Sequence, residues 1–176
     1  MKVFTAFFCT FAISFLLCES PVTEGKTLHF GACRLFVHFH DLKENFADIK
    51  HTIVSIPVLL SIRRVLRVEG PRNSKFGDSC CFLRHLLKFY VEKVFKQYPT
   101  VDGNIRTKTS SLANSFLSIK TELRKCHERN MCQCGEESRQ KIEAILHAYK
   151  NMDVNAAATK AIGELDILLE WMEKYH

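Results

Sequence analysis

From Cys33 onward the apolar residues recur with a helical period. Leu35, Phe39, Leu42, Phe46, Ile49 and Ile53 are spaced 4, 3, 4, 3 and 4, which predicts one stripe on a first helix ending before Pro57. Residues 54 to 78 break the pattern with Pro57, Gly70, Pro71 and Gly77 and read as a long crossover connection. Asp78 or Ser79 then caps a second helix through Tyr98, with Leu83, Leu87, Tyr90, Val94 and Tyr98 on one face and Pro99 as the stop. The segment PTVDGN is a turn. Leu112, Phe116, Ile119, Leu123 and Cys126 stripe a third helix, and a loop over 127 to 135 closes at Gly135. Ile142, Ile145, Tyr149 and Met152 mark a fourth, and Asp153 or Asn155 opens a last one with Ala158, Ile162, Leu165, Leu169 and Met172. No segment of alternating period competes, so the expectation is all-α: a bundle of about six helices, four of them principal, with one long early connection. Gly163 inside the last helix costs about 1 kcal/mol relative to alanine and points to close approach by a neighbour.

At 176 residues and 47% hydrophobic content, the chain suits one domain with a real core. Lys2 precedes an uncharged, mainly apolar run from Val3 to Cys18, shorter than the roughly 20 residues of a membrane span. This predicts a cleaved signal peptide over residues 1–24, a single domain over 25–176, no membrane span and an extracellular location. Loss of Lys2, Glu19 and Glu24 leaves 24 basic and 17 acidic residues, near +7. That balance is only mildly basic, which argues against nucleic acid as a partner. The densest basic stretch, SIRRVLRV, offers Arg63, Arg64 and Arg67 to an anionic glycan or an acidic protein face.

Six cysteines remain after the signal: Cys33, Cys80, Cys81, Cys126, Cys132 and Cys134. An even number in a secreted chain implies disulfides. Of the fifteen possible pairings, those joining the neighbours Cys80 and Cys81 are disfavoured by Cα atoms about 3.8 Å apart. Those joining Cys132 to Cys134 are strained as well, and ten connectivities stay open. The CC pair and the C-x-C look like two ends of a double staple from a helix start to a later loop. Zinc is the competing reading of CHERNMCQC, but its C-x₅-C-x-C spacing departs from the usual C-x₂₋₄-C, and an oxidising space favours disulfides. No His-rich ligand motif, catalytic constellation or N-x-[ST] sequon is present, so neither a cofactor, an enzyme activity nor N-glycosylation is expected.

Three blocks carry a resemblance when taken together: CCFLRHLLKFYVEKVFKQY (80 to 98), SSLANSFLSIKTELRKCHERNMCQCGEE (110 to 137) and AAATKAIGELDILLEWMEK (156 to 174). They closely resemble the interleukin-20 subfamily of the interleukin-10 cytokine family, over nearly the whole mature chain, whereas residues 53 to 76 depart from the family pattern. The resemblance implies a monomeric helical cytokine bundle with bridges Cys33–Cys126, Cys80–Cys132 and Cys81–Cys134. It also implies a class II cytokine receptor heterodimer as partner, one chain shared and one variable, with Janus kinase and STAT signalling in epithelial and inflammatory responses.

Lys160, Glu164 and Asp166 match a family motif, K-A-x-x-E-x-D, that implies contact with the longer receptor chain. Opposite the Leu112–Phe116–Ile119 stripe, Ser111, Asn114, Ser115 and Ser118 form a strip of small polar side chains that leaves hollows for a partner's aromatic residues. With His38, Asp41 and Asn45 of the first helix, this strip is the candidate site for the shared chain. The alternative function is a basic secreted helical protein that binds glycans or membranes directly.

Overall fold

The computed structural model describes residues 25–54 and 76–175. The expected signal segment and its cleavage point, most of the long crossover, and Arg63, Arg64 and Arg67 lie outside the described residues.

The described residues begin with a hairpin, not with a helix. Strands β1 (Lys26–Phe30) and β2 (Cys33–Val37) pair antiparallel, with Phe30 opposite Cys33 and Lys26 opposite Val37. Gly31, at φ +66°, takes the first position of the two-residue turn, a conformation that suits glycine. The expectation that no alternating segment competes is therefore corrected: Leu28, Phe30, Cys33, Leu35 and Val37 are buried while His29, Arg34 and Phe36 point outward. Leu35 belongs to this strand. Its four-residue spacing to Phe39 imitates a helical step across a strand-to-helix junction.

Helix α1 (Phe39–Val54) buries the rest of the expected stripe, Phe39, Leu42, Phe46, Ile49 and Ile53. Helix α2 (Phe76–Phe89) starts two residues before the expected cap. Asp78 is not that cap, because its Oδ1 accepts the backbone N–H of Gly135 at 2.7 Å and ties the first turn of α2 to the far loop. After α2 the rod passes through a π turn (Tyr90–Val94) into α3 (Phe95–Gln97), and Tyr98 turns extended ahead of Pro99.

Asp102 caps α4 (Gly103–Glu128) by accepting from the N–H groups of Asn104 and Ile105, at 2.8 and 3.0 Å. Helix α5 (Glu136–Lys150) follows the disulfide loop. Asp153, one of the two expected starts, caps α6 (Val154–Gly163) in the same way as Asp102, and α7 (Leu165–Glu173) continues it after a break. Counting interrupted rods once gives five helical rods among the described residues. The break falls at Gly163 and Glu164. A Cβ on Gly163 would meet Ile53 Cγ2 at 3.5 Å, an ordinary contact, so the expected close neighbour is α1 but it does not crowd this position.

Helix α4 is the longest element and packs against α1, α2 and β2. Its Phe116 stands 5.6 Å from the ring of Tyr90 and 5.4 Å from that of Phe95, edge to face, in the middle of the core. The Tyr90 hydroxyl donates to the carbonyl of Ala161 at 2.8 Å, one turn before the break between α6 and α7. The buried donor of the π turn thus meets the interrupted rod at a carbonyl that also receives the Glu164 N–H, at 3.3 Å. Replacing Tyr90 by Phe keeps the ring and removes the donor; the expected cost is about 1–3 kcal/mol. Urea unfolding of Tyr90→Phe checks this, and a midpoint equal to that of the parent contradicts it.

Candidate functional site

Three bridges hold one end of the bundle. Cys33 joins Cys126, Cys80 joins Cys132 and Cys81 joins Cys134, with Cα separations of 5.7, 5.1 and 5.2 Å. The first ties β2 to the last turn of α4, and the other two tie the first turns of α2 to the loop before α5. Adjacent thiols on α2 thus each take a separate partner two residues apart in the loop. The His127 ring nitrogen Nδ1 lies 2.9 Å from the Cys132 carbonyl, adding a hydrogen bond across that loop. The sulfurs of Cys33, Cys80 and Cys132 lie within 4.8 Å of one another, as do those of Cys81 and Cys134 with a ring nitrogen of His85. All five cysteines are consumed in bridges, and a disulfide sulfur is not a thiolate ligand.

The three residues of the KAIGELD motif straddle the break between α6 and α7. They do not share one solvated face. Lys160 Nζ pairs with Glu164 Oε1 at 3.5 Å, and their side chains are only 16% and 8% exposed. Asp166 is more open, at 36%, and its Oδ2 pairs with Lys50 of α1, itself 41% exposed. This largely buried ion pair spans the helix break, and the more accessible charge of the region belongs to Asp166 and Lys50.

Lys50 was not singled out from sequence, nor were Lys43, Lys26 and Glu173. Lys43 and Lys50 are seven residues apart, as are Asp166 and Glu173, so each pair occupies one flank of its helix. Lys43 Nζ reaches Glu173 Oε2 at 2.7 Å and Lys26 Nζ reaches Oε1 at 3.5 Å. With the His29 N–H donating to the carbonyl of Tyr175 at 2.6 Å, they fasten the C-terminal helix to the hairpin and α1. The hydrogen bond from Lys43, followed by the attraction of both lysines, holds the Glu173 carboxyl below its ordinary pKa. A depressed carboxyl contributes stability above the unfolded pKa, near 4.5, and loses it as the pH falls through the folded value. Because the lysines are half-exposed, Glu173→Gln is expected to cost no more than about 1 kcal/mol at pH 7. Thermal unfolding from pH 7 to 3 should show this difference narrowing toward zero; a constant difference contradicts the ion-pair origin.

The second candidate region lies on the opposite flank of α1. Lys108 Nζ bridges Asp48 Oδ2 at 3.1 Å, joining the start of α4 to the later half of α1. From this anchor Lys108, Ser111, Ser115 and Ser118 recur at 3, 4 and 3, and Asp48, Asn45, Asp41 and His38 recur at 3, 4 and 3 in the reverse direction. Cys33, just ahead of α1, meets Cys126 near the end of α4, so the two helices run antiparallel. The register therefore sets Asn45 level with Ser111, Asp41 with Ser115 and His38 with Ser118 along one seam.

Ser111, Ser115, Asp41 and Asn45 are half-buried, and Ser118, Asn114 and His38 are exposed. The Ser115 hydroxyl donates to the Ser111 carbonyl at 3.1 Å, and the Asn45 amide donates to the Asp41 carbonyl at 2.7 Å. These hydrogen bonds lie within their own helices, and the seam is lined on the α4 side by small side chains. Asn114 is one step off the seam and borders it on the solvent side.

A disulfide-stapled helical bundle with two separate polar flanks is an architecture that suits a helical cytokine. The sequence profile described as Interleukin 10 matches residues 29–176, and the chain belongs to the interleukin-10 family. It is 42% identical to interleukin-20 of Mus musculus over 175 residues, covering 99% of both chains. It is 35% identical to interleukin-19 of Homo sapiens over 144 residues, covering 82% of this chain and 81% of that one. The crystal structure of human interleukin-19 superposes with a TM-score of 0.70 at 36% identity, covering 78% of this chain and 88% of that one. An edited human interleukin 24 superposes with a TM-score of 0.72 at 37% identity, covering 85% and 98%. These relatives are cytokines and not enzymes, and no helix among the described residues is long and apolar enough to cross a membrane.

Proposed function

We propose that this chain is a secreted, monomeric interleukin-20-like cytokine that brings together two class II cytokine receptor chains, one shared and one variable. The observation that carries the reading is the position of α1 between two charged seams. One flank meets α7 through Lys50–Asp166 and Lys43–Glu173, and the other meets α4 through Asp48–Lys108.

A receptor-bridging protein needs two faces whose spacing does not change when the first is occupied. A helix held on both flanks, inside a bundle closed by three bridges, meets that need. In this reading the variable chain docks at the α6–α7 bend, where Asp166 presents charge and the Lys160–Glu164 pair spans the break. The shared chain docks on the α1–α4 seam, where aromatic side chains enter beside Ser111 and Ser115 and meet Asp41, Asn45, His38, Asn114 and Ser118 around the rim. The outcome is activation of Janus kinases and STAT factors in epithelial and inflammatory responses.

The test is STAT phosphorylation in cells bearing the shared chain plus one variable chain, with each chain alone as control. A response only when both are present is expected. Asp166→Ala should weaken the variable-chain step by about tenfold, the scale of one charged contact at an interface. A response from the shared chain alone would overturn the two-chain reading.

A further inference from the structure

The flank of α4 that faces α2 carries a second concentration of charge, mainly basic. Glu92 of the π turn that continues α2 meets Lys120 of α4 at 2.9 Å, and Cys80 of α2 is bonded to Cys132 in the loop that follows α4, so the two rods run antiparallel and the numbers in each pair total 212. The same register sets His85 level with His127, and Lys88 level with Arg124. Burial first, then the charges of Arg84, Lys88 and His127, hold the His85 imidazole below its ordinary pKa, so these groups act on one another.

Acids are few on this flank. Glu128, level with Arg84, pairs with Arg124 at 3.5 Å and is 62% exposed; Glu92 is held chiefly by Lys120 and meets Lys88 only at 4.0 Å. Arg84 has no acidic partner among the described residues. Its Nη2 stands 3.4 Å from His85 Nε2, and its Nε is buried with no hydrogen-bond partner. An unpaired buried N–H costs about 1–3 kcal/mol. A guanidinium directed toward an imidazole and lacking a carboxylate is a fork without its anion. A small turn of the side chain lays the Nε–Nη edge on an oxyanion, which pairs bidentately with such a fork.

We infer that Arg84, His85, Lys88 and His127 form an oxyanion site on the α2–α4 flank that takes a sulfate group of a sulfated glycan chain. The occupant follows from the chemistry. Arg84 and Lys88, with Arg124 level with Lys88, set fixed cations along the seam that suit a polyanion whose charges repeat, and the exposed Lys88 and half-buried Arg84 offer an entry to a flexible chain. This site lies apart from the serine seam. Ser111 and Lys120 are nine residues apart on α4, which is half a turn beyond two full turns, so the two flanks point in opposite directions. A cytokine held on matrix glycans by this flank keeps the α1–α4 seam open.

The probe is a heparin-derived hexasaccharide, with its desulfated form and inorganic sulfate as controls, read by calorimetry and by the imidazole NMR signals of the intact protein. Saturable binding of the sulfated hexasaccharide is expected, with His85 and His127 shifting and the His85 pKa rising, because a nearby anion favours imidazolium. Lys88→Gln, an exposed position that should not disturb folding, is expected to weaken binding about threefold to tenfold, and Arg84→Gln with Lys88→Gln by more than tenfold. Should the double variant fail to fold, Lys88→Gln and the His85 signals of the parent protein decide. Equal binding by the desulfated form, silent His85 signals, or a site that accepts inorganic sulfate but not the hexasaccharide would overturn the proposal. So would loss of binding in an Arg63, Arg64 and Arg67 to Gln triple variant combined with full binding by Lys88→Gln.

Discussion

Replacing Cys33 and Cys126 together by serine is expected to lower stability by about 4 kcal/mol, a large part of the roughly 5–15 kcal/mol of an ordinary domain. The bridge closes a loop with a sequence separation of 93, the longest of the three, and loop-closure entropy lost from the unfolded chain grows with that length. It also fixes the hairpin on α4. Cys33 is fully buried and Cys126 nearly so, so the two serines would place hydroxyls in an apolar setting. Guanidinium unfolding, with the other two bridges verified by mass, measures the change. A loss below about 1 kcal/mol would mean that packing of β2 on α4 holds the hairpin without the bridge.

The second large effect is expected on binding. Ser115→Trp should reduce affinity for the shared receptor chain by at least about a hundredfold, near 3 kcal/mol, because an indole fills the hollow that a partner side chain needs. Folding should survive. Ser115 is only half-buried and its hydroxyl bonds to the Ser111 carbonyl of its own helix, so the hydrogen bond that the substitution removes lies within α4. Surface-based binding to the shared chain, measured beside thermal unfolding, separates the two effects. Undiminished binding by the folded variant would remove the serine seam from the receptor-binding account, and the same variant should leave binding to the variable chain intact.

Period alone placed most of the helices. The stripes on α4 and α5 read correctly because each helix buries one face. Helix α2 instead buries the predicted Leu83 and Leu87 together with Phe82, Leu86 and Phe89 on other sides. Asp102 and Asp153 act where side-chain capping needs a short acceptor. The hairpin escaped because its five alternating positions are few and its last residues run into the stripe of α1, where Leu35 and Phe39 satisfy both periods. The π turn at Tyr90–Val94 has no signature in residue type, and the bond that accompanies it, from Tyr90 to Ala161, joins positions 71 apart.

At the candidate sites, the motif residues were visible but their exposure was not. Lys160 and Glu164 stand in the motif as expected receptor contacts, yet the end of α6 turns them toward one another in a largely buried pair. Lys50 could have been inferred from its place on the flank of α1 beside the stripe, had the last helix been known to pack there. The seam between α1 and α4 was half legible: the serine strip and the α1 positions were each recognisable, but their common level depends on the Asp48–Lys108 anchor.

The central claim is that one folded chain joins two different receptor chains through opposite flanks of α1. Light scattering on a size-exclusion column, with purified extracellular portions of the shared and variable chains, tests it most directly. The account predicts one complex containing a single copy of each of the three proteins, lost for the shared chain alone in Ser115→Trp. Co-elution with two copies of one receptor chain, or with neither, would contradict it.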